Sequence, residues 1–289
     1  MNWMATKFPR IYMVYNQFKN GSIQLLKDGR TRVTLSPKPG GIYTPEQLIA
    51  HHEFASDVAR CLPIFILFWV PFVGQWLAIP IAFFFPGQTL SRQFWMDGQR
   101  VMALDKMLDQ RVKAYPSLSE KLLKSIDSSK VDHRLAQIST DIIEEISNGK
   151  CMDEPEARLL RRTFYEAKFL QPDTLSVGHQ RQLATSWNGG WSLDCHNQGK
   201  FLSNVDGALR TCNLATQPKY IFDMVCHHRG LRLANRSSEE CIKFCRQWLL
   251  FSKGESSNYG HLGYLLHLPM LMRNNWPKKE EANNSESMT

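Results

Sequence analysis

The longest apolar stretch of the chain covers residues 62–85 and contains no charged side chain. An α-helix needs about 20 consecutive apolar residues to cross a hydrocarbon core of roughly 30 Å. Arg60 and Arg92 bracket the stretch, and Trp69 and Trp76 supply aromatic rings of the kind common at bilayer interfaces. The pattern therefore predicts a single transmembrane helix at residues 62–85, followed by a longer polar region.

Three prolines, Pro63, Pro71 and Pro80, interrupt this predicted span, and Gln75 is its only strongly polar side chain. Each proline removes a backbone N–H donor and opens the helical hydrogen-bond ladder. Two interpretations remain open. Either the kinked helix packs against copies of itself or lines a polar path, or the kinks are tolerated in a simple membrane anchor. The stretch contains no carboxylate, which argues against an ion pathway.

A helix start is marked just before the apolar stretch. Thr44 and Gln47 have the spacing of a capping box, and Pro45 suits the first helical position. These signals predict a helix over residues 45–61 that leads into the membrane. Residues 1–44 form a basic, aromatic-rich segment before it, with apolar positions at the spacing of an interfacial helix.

Helical periodicity also dominates the chain beyond the apolar stretch, where we find no strand pattern. Capping boxes predict helix starts at Ser117 and Ser237, and Gly230 predicts a helix end. The sequence therefore predicts an all-α fold, with one transmembrane helix followed by a helical domain over residues 87–277. A polar tail, residues 278–289, is predicted to be disordered.

The net charge of the chain indicates a class of partner, and its cysteines indicate the redox state of its cellular compartment. The formal net charge is +8, which suits phosphates of nucleic acid or anionic lipid, although a protein that is merely basic fits the charge equally well. The seven cysteines are odd in number and irregularly spaced, which indicates reduced thiols. Cys241 and Cys245 share a helical stripe with Phe244 and Trp248, which is typical of a core rather than of metal ligands.

The sequence contains none of the short motifs that commonly mark catalysis. It has no phosphate-binding glycine loop, zinc-protease motif or nucleophile elbow, and no twelve-residue calcium loop. We therefore predict a protein that is not an enzyme, with no catalytic residue, no cofactor and no bound metal.

Two basic clusters are the candidate binding residues. In a helix predicted around Leu160, this residue and Phe164 face one way, so four other side chains gather on a face suited to phosphates or stacked bases. These four are Arg158, Arg161, Arg162 and Tyr165. Arg229 and Arg232 belong to the second cluster. A solvated charged surface explains both clusters equally well, and Arg229 has the further alternative of a structural role at a helix end.

Several stretches carry a resemblance to a known family. They are the proline-broken span with residues 87–95, the segment Cys226-His227-His228-Arg229-Gly230-Leu231, the helix after it, and the stretch Gly263-Tyr264-Leu265-Leu266-His267. Together they resemble the LETM-domain family, the leucine-zipper and EF-hand transmembrane proteins. The segment Phe8-Pro9-Arg10-Ile11-Tyr12 is similar to the short members of that family. Residues 172–204 depart from the family pattern.

The resemblance implies a location and a class of function. It implies a single span in the mitochondrial inner membrane and an all-helical, 14-3-3-like domain in the matrix. It further implies binding to mitochondrial ribosomes or another matrix partner, in support of mitochondrial translation, respiratory-chain biogenesis and organelle homeostasis. The alternative is a component of an oligomeric potassium–proton exchange system. The basic clusters favour the ribosome tether, with the lipid bilayer and a second copy of the chain as further partners.

Overall fold

The structure, a computed structural model, describes residues 7–36, 41–70, 74–127, 131–188, 193–254 and 258–272. Within these ranges the chain is α-helical and has no strand, which confirms the predicted all-α class. It divides into an N-terminal unit, residues 1–103, and a C-terminal unit, residues 104–289. The tail predicted to be disordered, residues 278–289, lies outside the described residues.

The N-terminal unit begins with two helices that pack against each other, α1 (Pro9–Thr34) and α2 (Pro45–Phe68). The predicted capping box at the start of α2 is confirmed. The N–H of Gln47 donates to the Thr44 hydroxyl (3.2 Å), and the N–H of Thr44 donates to the Gln47 side chain (3.0 Å). The start of α2 is therefore satisfied by its own first turn.

The apolar stretch predicted as one helix folds as two. α2 ends at Phe68, and a separate helix, α3 (Gly74–Phe84), follows and packs against it. The prediction of one continuous helix is wrong because Pro71, in sequence between them, lacks an N–H and disfavours helical geometry at the residue before it. We name residues 62–85 the apolar hairpin. In the described part of the chain, no helix combines the length and the apolar character needed to cross a bilayer.

Three residues were expected to kink or pack the span. Pro71 lies outside the described residues, as does the side chain of Gln75. Pro80 lies inside α3 and is exposed. A single helical turn (Pro86–Thr89) and a 3-10 turn (Arg92–Phe94) follow the hairpin.

A buried polar network lies where the chain leaves the apolar hairpin. Arg92 donates through Nε to the Asp57 carboxylate of α2 (2.8 Å), and its Nη2 lies 3.5 Å from the Asp28 carboxylate of α1. The Gln93 amide donates to both carboxylates, at 2.7 Å to Asp28 and 2.8 Å to Asp57. All three charged groups are buried, so their mutual pairing is what makes their burial tolerable.

The helix α4 (Asp97–Val112) leads into the C-terminal unit. The unit continues with α5 (Tyr115–Asp127), α6 (His133–Asn148), α7 (Glu154–Glu166), α8 (Val177–Asn188), α9 (Cys195–Thr211), α10 (Lys219–His228), α11 (Ser238–Phe251) and α12 (Tyr259–Leu271). The capping box at Ser237 is confirmed. Cys241 and Cys245 are buried with Phe244 and Trp248, as the shared stripe predicts.

The last helix, α12, is the centre of the C-terminal unit and packs against α7 and α9. It is apolar on every side, and its residues from Gly260 to Leu271 are buried. Two glycines allow this burial. A Cβ on Gly260 would collide with the carbonyl oxygen of Phe164, and a Cβ on Gly263 would collide with that of Leu170. Positions without a side chain therefore let the backbone of α12 approach closely both α7 and the 3-10 turn that follows it, Lys168–Leu170.

Two buried histidines form a hydrogen-bonded pair between α8 and α12. Their Nε2 atoms, in His179 and His267, are 2.7 Å apart. His267 Nδ1 lies 2.8 Å from the Gly263 carbonyl and must donate to it, so its Nε2 accepts the N–H of His179. Burial lowers the pKa of His179 to about 3, helped by His267 and Lys121, and lowers that of His267 to about 4. Both rings are therefore neutral at physiological pH.

The guanidinium of Arg111, in α4, joins the ends of two other helices. It donates through Nε to the Ser186 carbonyl of α8 (2.8 Å), and through Nη1 and Nη2 to the carbonyls of His227 (2.8 Å) and His228 (3.3 Å) of α10. The Trp187 ring packs on the guanidinium, with its centroid 4.7 Å away. Arg111 thereby satisfies carbonyls that a helix leaves without an internal partner at its C-terminal end.

Candidate functional site

The candidate site is built on α7, whose first turn is held by polar side chains. The N–H of Glu156 donates to the Asp153 carboxylate (2.9 Å), and the N–H of Asp153 donates to the Glu156 carboxylate (2.9 Å). Lys150 Nζ lies 2.7 Å from Glu145 and 2.5 Å from Glu156, and these bonds raise the pKa of Lys150. The direction of α7, and of the side chains that follow, is fixed by this cap.

The side chains of α7 divide into two faces at the predicted spacing. Leu160 and Phe164 are buried against the rest of the unit. Arg158 and Arg162 are exposed and Arg161 is half-buried, so the three predicted arginines lie on the outer side of the helix. Their charges can therefore reach a partner without unfolding any part of the unit.

A pocket of about 380 Å³ lies between α7 and the end of α11. Its walls include the apolar side chains of Ala157, Leu250 and Phe251. Three cations line it, namely Arg158, Arg161 and Lys253, together with the carboxylate of Glu154. With three cations and one carboxylate among the described lining residues, the pocket carries a surplus of positive charge.

Arg161 ties the two sides of the pocket together. Its Nη1 donates to the carbonyl oxygen of Lys253, which follows the C-terminal end of α11. A guanidinium carries five N–H donors, and this bond uses one of them. Arg161 thus positions the Lys253 segment beside α7 and leaves donor capacity directed at the pocket.

The other two arginines form surface ion pairs within α7. Arg158 donates to Glu154 (2.8 Å) and Arg162 to Glu166 (2.8 Å), each at i,i+4 spacing. Exposed pairs of this kind contribute little to the stability of a protein, so an anionic ligand can displace the carboxylate at little cost. Arg162 is not among the described lining residues of the pocket, and its charge lies beside it.

Tyr165 is placed behind the arginines rather than among them. It is half-buried, and its ring packs edge-on against His261 of α12, with centroids 6.3 Å apart. A Cβ on Gly254 would lie 2.5 Å from the Tyr165 hydroxyl, so this ring also supports the segment that carries Lys253. Burial lowers the pKa of His261 to about 4, so this ring adds no positive charge near neutral pH.

Comparison with known proteins places the chain in a family. A family model described as LETM1-like, RBD matches residues 46–271. The chain belongs to this family. It is similar to the LETM1 domain-containing protein 1 of Xenopus tropicalis, at 24% identity over 95% of this chain and 81% of the relative. It is also similar to the protein of that name from Bos taurus, at 24% identity over 95% of this chain and 78% of the relative. No solved structure matches the chain.

Within the LETM1-like range, the structure corrects the expectation that Arg229 contacts a partner. Its side chain is 1% exposed, and its Nη2 donates to the buried Asp206 carboxylate of α9. Arg229 Nη1 donates to the Val225 carbonyl (2.9 Å), and Trp248 Nε1 donates to the other oxygen of Asp206 (2.9 Å). The guanidinium lies 5.5 Å from the Trp248 ring centroid. Arg229 is therefore structural, the alternative that the sequence left open.

Arg232 lies on the surface but does not join the pocket. Its guanidinium pairs with Asp109 of α4, and both side chains are about half exposed. Next to it, the Asp105 carboxylate accepts the N–H groups of Leu233 (2.8 Å) and Ala234 (2.8 Å). Both aspartates thus fix the segment after Gly230 to α4.

Lys253 is a cationic residue of the pocket that the sequence pattern missed. Its carbonyl meets an arginine that lies 92 residues earlier in the chain, so no local spacing connects the two. A usable signal was present, because Lys253 and Gly254 follow the apolar stripe of α11, and a basic residue with a glycine is typical of a helix end. The arginines of the neighbouring helix α7 then supply the other half of the site.

Proposed function

We propose that this protein belongs to the mitochondrial inner membrane and that its C-terminal unit binds ribosomes there. RBD in the family description denotes a ribosome-binding domain, and the match includes every helix that forms the pocket. The apolar hairpin attaches the protein to the bilayer. Binding by the C-terminal unit then holds the ribosome close to the membrane that receives its products, which supports respiratory-chain biogenesis.

The observation that carries this proposal is the cationic pocket between α7 and α11. A guanidinium presents its N–H groups in a planar fork that matches two phosphate oxygens, and a lysine ammonium adds a compact charge. Arg158, Arg161 and Lys253 provide both kinds of group around apolar walls. Phosphate groups of ribosomal RNA fit this chemistry, with a sugar or a base against the exposed side chain of Leu250.

A charge reversal in the pocket tests the proposal. Full-length protein carrying Arg158→Glu and Lys253→Glu is expected to bind mitochondrial ribosomes at least about tenfold more weakly, because a charge-assisted hydrogen bond contributes about 1.5 kcal/mol or more. The logarithm of the binding constant should also fall less steeply with the logarithm of salt concentration, by about one unit per lost phosphate contact. Co-sedimentation in detergent over a salt series measures both quantities.

The matched control makes the same charge change elsewhere. Arg134 and Lys243 are exposed and do not line the pocket, so Arg134→Glu with Lys243→Glu should keep most of the affinity. Equal weakening by both pairs would mean that only net charge matters and would contradict a pocket-specific contact. A folded protein that fails to co-sediment even at low salt would overturn ribosome binding and favour the cation–proton exchange alternative.

A further inference from the structure

The apolar hairpin has two helical legs, the part of α2 from residue 62 onwards and the whole of α3, and the second leg turns back on the first. A Cβ added to Gly74 at the start of α3 would overlap the carbonyl oxygen of Leu67 near the end of α2. The backbones of the two legs are therefore in direct contact at the turn. This contact needs a residue without a side chain at position 74.

The open end of the hairpin is closed by contacts between the residues that flank it. Asp57, before the apolar stretch, bonds Arg92, after it, at 2.8 Å. The N–H of Ser91 donates to the Cys61 sulfur at 3.0 Å, and both residues are buried. The chain thus enters and leaves the apolar stretch at one place.

This closure is incompatible with a single crossing of the membrane. A continuous helix over residues 62–85 would separate its ends by roughly 35 Å, which exceeds the hydrocarbon thickness of about 30 Å. Ends on opposite faces of a bilayer cannot form the Asp57–Arg92 ion pair. The second leg, α3, has 11 residues and is therefore about 16 Å long, close to the depth of one leaflet.

The outer surface of the hairpin has the chemistry of a lipid contact. Trp69 and Trp76, on either side of the turn, are 86% and 81% exposed. Large apolar side chains along the legs are also exposed, including Leu62, Ile66, Leu77 and Phe84. An apolar surface of this kind marks an interaction site, and tryptophan is favoured at the membrane interface.

Charge complementarity identifies an anionic lipid surface as the occupant. The helix that packs against α2, α1, exposes Lys19, Lys27 and Arg30, whereas its carboxylate Asp28 is buried in the network with Arg92. Exposed lysine and arginine side chains are attracted to the surface of an anionic bilayer. The basic helix and the apolar hairpin of the N-terminal unit therefore suit one face of the same membrane.

We propose that the apolar hairpin enters one leaflet of an anionic membrane and leaves it on the side from which it entered. The chain before residue 57 and the chain after residue 92 then share one aqueous compartment. This inference rests on the membrane attachment proposed above and replaces the predicted single span with a re-entrant one. The polar network of Asp28, Asp57 and Arg92 is the part of the fold that keeps the two ends together.

The number of labels that each protein molecule carries tests the topology, and the direction in which the protein inserts into the vesicle need not be controlled. Full-length protein with Cys151→Ser and Cys212→Ser retains only buried cysteines, because the other five are buried. Asn20→Cys and Met102→Cys then add exposed thiols before and after the hairpin. The protein is reconstituted into phosphatidylcholine vesicles containing phosphatidylglycerol, treated with a membrane-impermeant maleimide and weighed intact by mass spectrometry.

A re-entrant hairpin leaves each molecule labelled at both added thiols or at neither. A single span gives one label on every molecule, whichever way it is inserted, and would overturn the inference while keeping membrane attachment. Protein that does not float with the vesicles in a density gradient would overturn the attachment itself. Met102→Cys with Glu144→Cys is the control pair, since both thiols follow the hairpin and must label together.

Discussion

The Asp206→Asn variant is expected to lose about 3–5 kcal/mol of unfolding free energy. The change removes the charge that Arg229 faces and keeps the shape of the side chain, so it leaves a buried guanidinium without a counter-ion. The Trp248 indole loses one of its charged acceptor oxygens at the same time. Urea unfolding of the full-length protein, followed by tryptophan fluorescence, measures the shift in midpoint and the slope that converts it into free energy.

A second aspartate–arginine pair of the same unit provides the control. Asp109 pairs with Arg232 at the surface, where both side chains are about half exposed. Asp109→Asn makes the same chemical change in water, and a loss within about 1 kcal/mol is expected. Equal losses in the two variants would contradict the view that Arg229 is a buried structural residue. They would restore it as a candidate for contact with a partner.

The largest pH effect is expected from the buried pair of His179 and His267. Their pKa values of about 3 and about 4 in the folded protein lie below the ordinary value of 6.5. The unfolded chain therefore binds protons below pH 6.5 that the folded chain does not bind. The stabilising contribution is complete above that pH. It falls by about 1.4 kcal/mol per pH unit for each histidine as the pH decreases from 6.5 towards 4.

The measurement is the free energy of unfolding at a series of pH values between 7 and 4.5. His179→Gln with His267→Gln should remove most of the steep loss below pH 6.5, even where the variant is less stable at neutral pH. The buried His261, whose pKa is also lowered to about 4, keeps its own share of that loss. His133→Gln, at an exposed position of α6, should keep the slope of the original protein. A slope unchanged by the double substitution would show that other groups, such as carboxylates, cause the acid sensitivity.

Local signals in the sequence predicted the fold class and many helix ends. Capping at Thr44 and Ser237 is confirmed. It could be predicted because the bonds involved join residues only three positions apart. The predicted start at Ser117 is wrong, because α5 already begins at Tyr115, with Pro116 in its first turn, where proline is favoured.

Some helix bounds depend on packing that periodicity does not report. Within residues 172–204, which depart from the family pattern, the structure has α8 and the first part of α9. At Gly199 a Cβ would lie 2.9 Å from Leu262, so this turn of α9 is shaped by close approach to α12. The buried Gln198 and Ser203 break the apolar pattern there. Tertiary contacts decide such segments.

In the candidate site too, local spacing predicted some features, and contacts between residues distant in sequence decided the others. Spacing within one helix correctly grouped Arg158, Arg161 and Arg162 on one face of α7. Spacing could not predict that Arg229 is buried, because the carboxylate that pairs with it lies 23 residues earlier, in another helix. The sequence pattern also predicted one continuous helix where the apolar hairpin has two, since hydropathy measures how apolar a stretch is and not whether the chain reverses inside it.

The three carbonyls that Arg111 joins also limit how early its bonds can form while the protein is being synthesised. The carbonyls of His227 and His228 lie 116 and 117 residues further along the chain, so a growing polypeptide exposes this guanidinium long before its partners are translated. The first helix of the unit therefore reaches its final set of bonds only late in elongation. A premature stop codon between Ser186 and His227 leaves α4 whole but removes two of the three carbonyls, so the Arg111 guanidinium of the truncated chain lacks those acceptors.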